Sequence, residues 1–363
     1  MYNEDDDLKL IVLSSFSETG KKVNEELNKL RGTTCDYRVN IRESRFNNGE
    51  AKMEIIDSIR HKDVYILGDV GNHSITYKMY DYTNHMSPDD HFLDIKRVIY
   101  AVRDHAKEVS VIMPLLYESR QHRRKSRESL DCAAALQDLV TLKTKNIITF
   151  DVHDIDIQNA IPVSSFESFY PTKEILQKFI ETEQIDFNNM FVVSPDAGAI
   201  SRNNLYANLF NCDLGFFRKE RDTSVIIDGK NPITKHVYVG QSVKDKNVIV
   251  ADDMIASGGS MIDVASSLKE LGASKIYLLS TFGLFTKGVD EFNKAYEKGL
   301  FDKIYVTNLT YFDKEYYNLP WLEVVDCSLK LASVINSLNV GNSLSPLLND
   351  TDQIHKKILE RKN

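Results

Sequence analysis

The sequence of 363 residues has few cysteines and lacks long apolar runs. Its four cysteines, at positions 35, 132, 212 and 327, are widely spaced, and no two of them form a Cys-x-x-Cys pair. This spacing argues against a disulfide framework or a zinc site and is typical of reduced thiols. No apolar run approaches the ~20 residues that span a bilayer. We therefore expect a cytoplasmic protein that has no membrane partner.

An excess of positive charge is also missing. Lysine and arginine together number 45 against 53 aspartates and glutamates, which gives a formal net charge of −8. This balance argues against a general nucleic-acid-binding protein, so we expect no nucleic-acid partner. The acidic segment Met1–Asp7 lacks the basic and then apolar pattern of a signal peptide, and we expect no secretion signal there.

Short apolar runs recur along the chain, and stretches with helical spacing separate them. The nine runs are Leu10–Leu13, Val64–Leu67, Val109–Met113, Ile147–Phe150, Phe191–Val193, Leu214–Phe217, Val248–Ala251, Ile276–Leu279 and Ile304–Val306. This alternation predicts βαβ units and mainly parallel sheets, so the expected fold class is α/β. A chain of this length is expected to form two domains rather than one.

A domain boundary is expected at Ile161–Pro171, where two prolines flank a polar, serine-rich stretch. The predicted domains are an N-terminal α/β domain over residues 1–165 and a C-terminal α/β domain over residues 166–345. Residues 346–363 are expected to be a polar tail, of which Asn349–Asn363 is predicted to form a polar helix or a frayed end.

Two polar segments are predicted to be mobile loops. The first, Asn72–Asp90, is rich in tyrosine, and the second, Asp222–Gly240, follows a charged run.

The segment Val248–Ser260 carries the most informative pattern. Val248–Ala251 is apolar and predicts a buried strand, with the carboxylates of Asp252 and Asp253 at its carboxyl end. A turn of small residues follows, and then apolar residues recur at helical spacing until Gly272. Ligands of open α/β sheets bind at the carboxyl ends of strands, where loop amides and a helix N-terminus favour an anion. The segment predicts a sugar-phosphate site; an ordinary strand-to-helix turn with surface acids is the alternative.

Reactive side chains also lie in several other turns. Arg120–Arg127 holds five cations in eight residues, which indicates a polyphosphate ligand, a solvated loop or a nucleic-acid patch. His153 lies beside acids and is either a metal ligand or a structural histidine. Asp196 lies in a turn of small residues and either holds Mg²⁺ through water or simply forms the turn. Taken alone, Arg218–Asp222 is typical of a solvated face, and Phe46–Glu50 is a weak base-stacking signal.

Taken in order, these segments resemble the ribose-phosphate pyrophosphokinases, also called phosphoribosyl-pyrophosphate synthetases, over nearly the whole chain. Residues 46–50 look like the family's Phe-x-x-Gly-Glu element, which binds the base of ATP from a neighbouring subunit. The resemblance therefore implies ATP binding by Phe46, Asn48 and Glu50. Arg120 and Gln121 match the Arg-Gln pair that the family places at ATP.

The resemblance also implies metal-linked and catalytic residues. His153 falls on the histidine of the family's Asp-Leu-His element, and Asp196 falls on the acid of its Ser-Pro-Asp element. Lys219 and Arg221 fall on the catalytic lysine and its partner arginine, on a loop that closes over ATP. The residues implied to bind ribose 5-phosphate are Asp252, Asp253, Ser257, Gly258, Gly259 and Ser260.

The resemblance to this family implies both a fold and a reaction. The implied fold has two phosphoribosyltransferase-like domains, each a mainly parallel sheet flanked by helices. The implied reaction transfers the diphosphoryl group of ATP to the 1-hydroxyl of ribose 5-phosphate, giving phosphoribosyl pyrophosphate and AMP for nucleotide biosynthesis. By the same resemblance, Mg²⁺ is the cofactor, and the protein is a homo-oligomer, either a hexamer or its dimer unit.

The sequence departs from the family at particular positions. Ala256 replaces an aspartate that contacts the ribose, Phe282 replaces a histidine, and His122 replaces an aspartate. The changes at Ala256 and Phe282 make a non-catalytic regulatory paralogue an alternative. An enzyme is favoured by four retained residues, Lys219, Arg221, His153 and Asp196. A phosphoribosyltransferase is a further alternative, but such enzymes usually need only one α/β domain.

Overall fold

The computed structural model describes residues 7–221 and 233–362. Within these ranges, residues 219–221 and 233–236 are described by their backbone alone. Within these ranges the chain forms sixteen β-strands and ten α-helices. The strands are β1 (Leu8–Val12), β2 (Ile41–Arg45), β3 (Ala51–Ile55), β4 (Asp63–Leu67), β5 (Thr76–Met79), β6 (Tyr82–His85), β7 (Glu108–Ile112), β8 (Asn146–Phe150), β9 (Ser165–Phe169), β10 (Met190–Ser194), β11 (Leu214–Arg221), β12 (Ile233–Val239), β13 (Asn247–Ile255), β14 (Lys275–Gly283), β15 (Lys303–Thr307) and β16 (Leu322–Val325). The helices are α1 (Ser17–Arg31), α2 (Pro88–Val102), α3 (Asp131–Thr141), α4 (Thr172–Thr182), α5 (Ile200–Phe210), α6 (Gly259–Glu270), α7 (Asp290–Glu297), α8 (Ser328–Asn339), α9 (Ser345–Leu348) and α10 (Asp352–Lys362).

The chain divides into two compact units. The N-terminal unit contains the chain up to Pro171, together with Asn308–Asp313 and Asp326–Asn349. The C-terminal unit contains Thr172–Thr307, Lys314–Val325 and the chain from Asp350 onward.

This division differs from the continuous domains 1–165 and 166–345 expected from the sequence. β9 pairs in parallel with β8, up to the pair Phe150 and Phe169, so the sheet of the N-terminal unit continues past residue 165. Two late segments also belong to this unit. On one of them, Asn339 of α8 accepts a hydrogen bond of 2.7 Å from Arg31 at the end of α1.

The N-terminal unit contains a parallel five-stranded sheet in the order β1-β4-β7-β8-β9. All five residues of β4 are buried, which places this strand inside the sheet. The same unit contains two antiparallel hairpins, β2–β3 and β5–β6, which are separate from this sheet. The second hairpin lies in Asn72–Asp90, so the prediction of a mobile loop there is wrong. The same segment ends in the N-terminus of α2, where the hydroxyl of Ser87 accepts a hydrogen bond from the amide of Asp90.

The C-terminal unit contains a seven-stranded sheet in the order β12-β11-β10-β13-β14-β15-β16. β12 runs antiparallel to β11, and the other neighbours are parallel. β12 lies within the segment predicted as the loop Asp222–Gly240, so that prediction is wrong for residues 233–239. Residues 222–232 lie outside the described part of the chain.

Aromatic side chains fill one core of the C-terminal unit. The ring of Phe179 on α4 makes edge contacts with Tyr277 and Tyr305, which belong to neighbouring strands of the sheet. Ile354 and Ile358 of α10 are buried in the same core. Residues 352–362 are therefore a packed helix, the first of the two alternatives that the sequence left open for the tail.

Each of the nine apolar runs lies in a strand, apart from one residue at the end of the first and third runs. The prediction of mainly parallel α/β sheets flanked by helices is confirmed. Across residues 7–221 and 233–362, no helix is long and apolar enough to cross a membrane.

Candidate active-site elements

The two acidic residues of the predicted sugar-phosphate site lie inside β13 rather than beyond its end. β13 continues to Ile255 because β14 runs beside it, and Asp252 pairs with Ser280 while Ile255 pairs with Gly283. Successive side chains of a strand point to opposite faces. Accordingly, Asp253 is buried with 3% of its surface exposed, whereas Asp252 is partly exposed.

Asp252 has a perturbed ionisation. Burial and the neighbouring carboxyl of Asp253 raise the pKa of Asp252 to about 8, although Arg202 acts in the opposite direction. Arg202 places Nη1 3.7 Å from Oδ1 of Asp252, and the same oxygen accepts a hydrogen bond of 2.9 Å from the amide of Asp253. A proton held near neutral pH at this position leaves most readily when a cation or a hydroxyl donor comes close. The pair therefore suits a ligand that brings such groups.

The turn after β13 leads directly into α6. Gly258 has φ of +86°, a conformation that favours glycine, and it precedes the first helical residue, Gly259. A β-carbon on Gly258 would lie 2.2 Å from Cζ of Phe292, whereas one on Gly259 would meet no side chain of the described residues within 4 Å. Ser257, Gly259 and Ser260 are exposed, at the helix N-terminus. Free amides and the helix dipole at such a terminus suit a phosphate group.

Asp196 forms the turn between β10 and α5. Its Oδ1 accepts hydrogen bonds from the amides of Gly198, at 2.9 Å, and Ala199, at 3.2 Å. Its carbonyl oxygen accepts a hydrogen bond of 2.7 Å from the hydroxyl of Ser194. The side chain thus has the turn-forming role that was one of its two readings, and its carboxylate is partly exposed.

The backbone of Lys219 and Arg221 lies in β11, where it pairs with β12. These residues are therefore on a strand rather than on the predicted loop. Their side chains are outside the part of the chain that the structure describes.

In the N-terminal unit, Phe46–Glu50 forms the tip of the hairpin β2–β3. Gly49 donates its amide to the carbonyl of Phe46 at 2.8 Å, and Gly49 has φ of +91°. Asn48 and Glu50 are brought together, since Nδ2 of Asn48 lies 2.9 Å from Oε2 of Glu50. The ring of Phe46 is 52% exposed. The tip therefore presents an aromatic face beside two polar side chains.

Asp154 joins the segments that follow β7 and β8 in the same unit. Its Oδ2 lies 2.6 Å from Nη2 of Arg123 and 3.2 Å from Nε2 of His122. The rings of His122 and His153 are 5.3 Å apart. Exposed His153 and the exposed pair Arg120–Gln121 therefore belong to segments in direct contact. The only sign of this anchoring role of Asp154 in the sequence is its position next to His153, which does not predict the contact.

No cluster of three or more histidine, cysteine, aspartate or glutamate side chains suited to a metal ion is present among the described residues. All four cysteines are free.

Comparison with known proteins identifies the family. A model of the N-terminal domain of ribose phosphate pyrophosphokinase matches residues 8–142, and a phosphoribosyl transferase domain model matches residues 168–311. Ribose-phosphate pyrophosphokinase A of Dictyostelium discoideum is 25% identical over 95% of this chain and 99% of its own. Ribose-phosphate pyrophosphokinase 2 of Schizosaccharomyces pombe is 29% identical over 83% of this chain and 87% of its own.

A solved structure has the same fold. The phosphoribosylpyrophosphate synthetase from Mycobacterium smegmatis superimposes with a TM-score of 0.76, at 21% identity, over 93% of this chain and all of that one. The fold and the loop after β13 define an α/β protein with two phosphoribosyltransferase-like domains. The chain belongs to the ribose-phosphate pyrophosphokinase family, and the resemblance stated from its sequence is confirmed.

Proposed function

We propose that this protein is a ribose-phosphate diphosphokinase, a transferase that moves the diphosphoryl group of ATP to the 1-hydroxyl of ribose 5-phosphate. The products are phosphoribosyl pyrophosphate and AMP, for nucleotide biosynthesis. The observation that carries the proposal is the loop after β13, where two carboxyls precede a glycine turn and a helix N-terminus. Relatives named as ribose-phosphate pyrophosphokinases, aligned along most of the chain, support catalysis over a regulatory role. The match of residues 8–142 to the kinase N-terminal domain opposes a simple phosphoribosyltransferase.

Ribose 5-phosphate is the substrate of the loop. The amides and hydroxyls of Ser257, Gly258, Gly259 and Ser260 hold the 5-phosphate, because an exposed helix N-terminus binds anions. Asp252, which is partly exposed, and the buried Asp253 beside it are the acids that we assign to the ribose side of the substrate. The space beside Gly259 supports this assignment, since no side chain among the described residues comes within 4 Å of a β-carbon added there.

ATP is the substrate of the N-terminal unit. The exposed ring of Phe46 stacks on the adenine base, and Asn48 and Glu50 bind the base edge. Arg120 and Gln121 bind the phosphates and the ribose of ATP. In a homo-oligomer, the hairpin tip would serve the site of a neighbouring subunit. We place the enzyme in the cytoplasm on the basis of its four free thiols.

The proposed Mg²⁺ would be held near His153 and Asp196. The donor set fits, because Mg²⁺ is commonly bound through one or two carboxylates, with water and substrate phosphates completing the shell. The partly exposed carboxylate of Asp196 supplies such an oxygen, and His153 would interact through water. When bound, the ion would neutralise charge on the phosphate oxygens.

The reaction needs positioning and charge stabilisation more than covalent catalysis. The 1-hydroxyl oxygen of ribose 5-phosphate attacks the β-phosphorus of ATP, and its proton is released to solvent. The bond from this phosphorus to the oxygen that bridges it to the α-phosphorus breaks, and AMP leaves with the electron pair. Lys219 and Arg221 donate hydrogen bonds to the charge that develops on the migrating group.

A direct test uses the purified full chain with ATP and Mg²⁺, with and without ribose 5-phosphate. We expect AMP to form only when ribose 5-phosphate is present. Absence of AMP at every substrate level would favour the regulatory paralogue. Release of pyrophosphate from phosphoribosyl pyrophosphate and a nucleobase, without AMP formation from ATP, would favour a phosphoribosyltransferase.

A further inference from the structure

Asn203 of α5 is a polar residue in an apolar position. It is completely buried and shares the inward face of the helix with Tyr206, Ala207 and Phe210, at helical spacing. A buried amide at such a position needs hydrogen-bond partners, because an unpaired one costs stability. Its partners show what the residue does.

The side chain of Asn203 pairs with both backbone polar groups of Ala251 on β13. Its Oδ1 accepts from the amide of Ala251 at 3.0 Å, and its Nδ2 donates to the carbonyl of Ala251 at 2.7 Å. The ladder between β10 and β13 ends earlier, at the pair of Val192 and Ile249. The side-chain amide of Asn203 thus provides hydrogen bonds to Ala251 in place of β10, which pairs only with earlier residues of β13.

The same amide also contacts the turn that carries Asp196. Nδ2 of Asn203 donates to the carbonyl of Ala199 at 2.8 Å and lies 3.4 Å from Oγ of Ser194. Oγ of Ser194 in turn donates to the carbonyl of Asp196. One buried side chain therefore connects the residue before Asp252 with the turn of Asp196.

We propose that Asn203 is a positioning residue, which fixes Asp252 and Asp253 relative to the Asp196 turn so that ribose 5-phosphate binds in one geometry. This role rests on the proposed function, because it presumes that these acids hold the sugar. An apolar side chain of similar size would leave the amide and carbonyl of Ala251 buried and unpaired, and the strand would shift to satisfy them. Asp252, the next residue, would move with it.

The test replaces Asn203 in the full chain and measures substrate binding as well as turnover. Asn203→Leu keeps the volume and removes the hydrogen bonds, and Asn204→Leu is the matched control because Asn204 is the exposed next residue of α5. We expect Asn203→Leu to raise the KM for ribose 5-phosphate about tenfold. The KM for ATP should stay within about twofold of wild type. The dissociation constant for ribose 5-phosphate, measured by calorimetry, should rise in parallel, and Asn204→Leu should change none of these values.

A second variant decides the matter if Asn203→Leu does not fold. Asn203→Asp keeps the acceptor for the amide of Ala251 and replaces the two N–H donors by at most the one O–H of a buried carboxyl. It should weaken ribose 5-phosphate binding without matching loss of ATP binding. Equal effects on both substrates, or unchanged affinity for ribose 5-phosphate in a folded variant, would overturn the proposal. Calorimetry needs no turnover, so weakened binding in a protein that makes no AMP would reject the proposed reaction and keep the role of Asn203. A wild-type protein that does not bind ribose 5-phosphate would overturn both.

Discussion

The ring of Phe292 occupies the space beneath Gly258, in the turn between β13 and α6, and a β-carbon at this glycine would lie 2.2 Å from its Cζ atom. Phe292 is itself buried in an aromatic cluster, where it stacks on Trp321 with ring centroids 5.6 Å apart. The loop therefore rests on a rigid apolar base that belongs to the same unit.

Gly258 and Gly259 should respond differently to the same substitution. Gly258→Ala should destabilise the protein by about 1–3 kcal/mol, because the position has positive φ and no room for a methyl group. Gly259→Ala should leave the melting temperature nearly unchanged but raise the KM for ribose 5-phosphate at least ~10-fold, because its methyl group enters the space assigned to the phosphate. Thermal unfolding and steady-state kinetics measure the two effects. An unchanged KM for ribose 5-phosphate in Gly259→Ala would show that the phosphate does not bind beside Gly259.

Lys219→Ala should slow turnover far more than it weakens substrate binding. We expect kcat to fall by about 10²–10³-fold, because the role proposed for this lysine is to stabilise charge that develops only in the transition state. The KM values for both substrates should change by less than about threefold. Lys298→Ala, which removes an exposed lysine at the end of α7, serves as the control and should keep full activity. Near-normal kcat in Lys219→Ala would remove the residue from the mechanism.

Ala256→Asp should improve binding of ribose 5-phosphate. Ala256 directly follows β13, and its carbonyl accepts a hydrogen bond of 2.9 Å from the amide of Thr286, which holds the backbone there. A carboxylate at this position would add a hydroxyl contact, and we expect the KM for ribose 5-phosphate to fall about tenfold. Ala256→Asn, of the same shape but neutral, should give a smaller gain. An unchanged or higher KM in Ala256→Asp would show that the sugar is held differently in this protein.

Met79 should support the turn that carries Phe46, the residue proposed to stack on the base of ATP. The sulfur of Met79 packs against Gly49, since a β-carbon on that glycine would lie 2.8 Å from it. Next to Met79, the amide of Tyr80 donates a hydrogen bond of 3.0 Å to the carbonyl of Asn47. Met79→Ala should therefore loosen the turn and raise the KM for ATP about fivefold, the equivalent of ~1 kcal/mol, without affecting ribose 5-phosphate. Tyr82→Ala on the same hairpin is the control, since this side chain is 75% exposed. An equal KM for ATP in both variants would show that Met79 does not support ATP binding.

Asp69 should make stability depend on pH in the acidic range. Complete burial raises its pKa from 3.8 to about 6, although it accepts hydrogen bonds from the amides of Gly71 and Tyr311. The folded state then binds the proton more tightly than the unfolded state. The resulting stabilisation is full below pH ~4 and is lost as pH rises through about 6, which lowers the free energy of unfolding by a few kcal/mol.

Denaturation of wild type and Asp69→Asn between pH 4 and pH 7 measures this contribution. Wild type should lose stability relative to Asp69→Asn as pH rises over this range. Asp104→Asn, at a side chain that is 78% exposed, should follow wild type. A difference between wild type and Asp69→Asn that is constant with pH would contradict the assignment.

The sequence predicts local features of this protein well because they depend on neighbouring residues. The apolar run Val248–Ala251 lies in β13 and the spacing after it forms α6, since strand and helix patterns are short-range signals. The end of β13 was predicted wrongly. Asp252 and Asp253 indicate the end of a strand in the sequence, whereas pairing with β14 extends the strand to Ile255.

Contacts between distant segments were beyond the reach of sequence patterns. Nothing around Asn203 in the sequence indicates that it bonds to Ala251, 48 residues later. The assignment of Asn308–Asp313 and Asp326–Asn349 to the N-terminal unit also depends on tertiary packing, which sequence periodicity does not encode.

The fate of the γ-phosphate of ATP tests the central claim most directly. The purified protein is given ATP labelled with ³²P at the γ-position, together with Mg²⁺ and ribose 5-phosphate, and the products are separated. We predict that the label appears in phosphoribosyl pyrophosphate, with one AMP formed for each labelled product. Label that stays in ATP, or that appears as free phosphate without a labelled sugar product, would contradict the assignment of this chain as a diphosphoryl transferase.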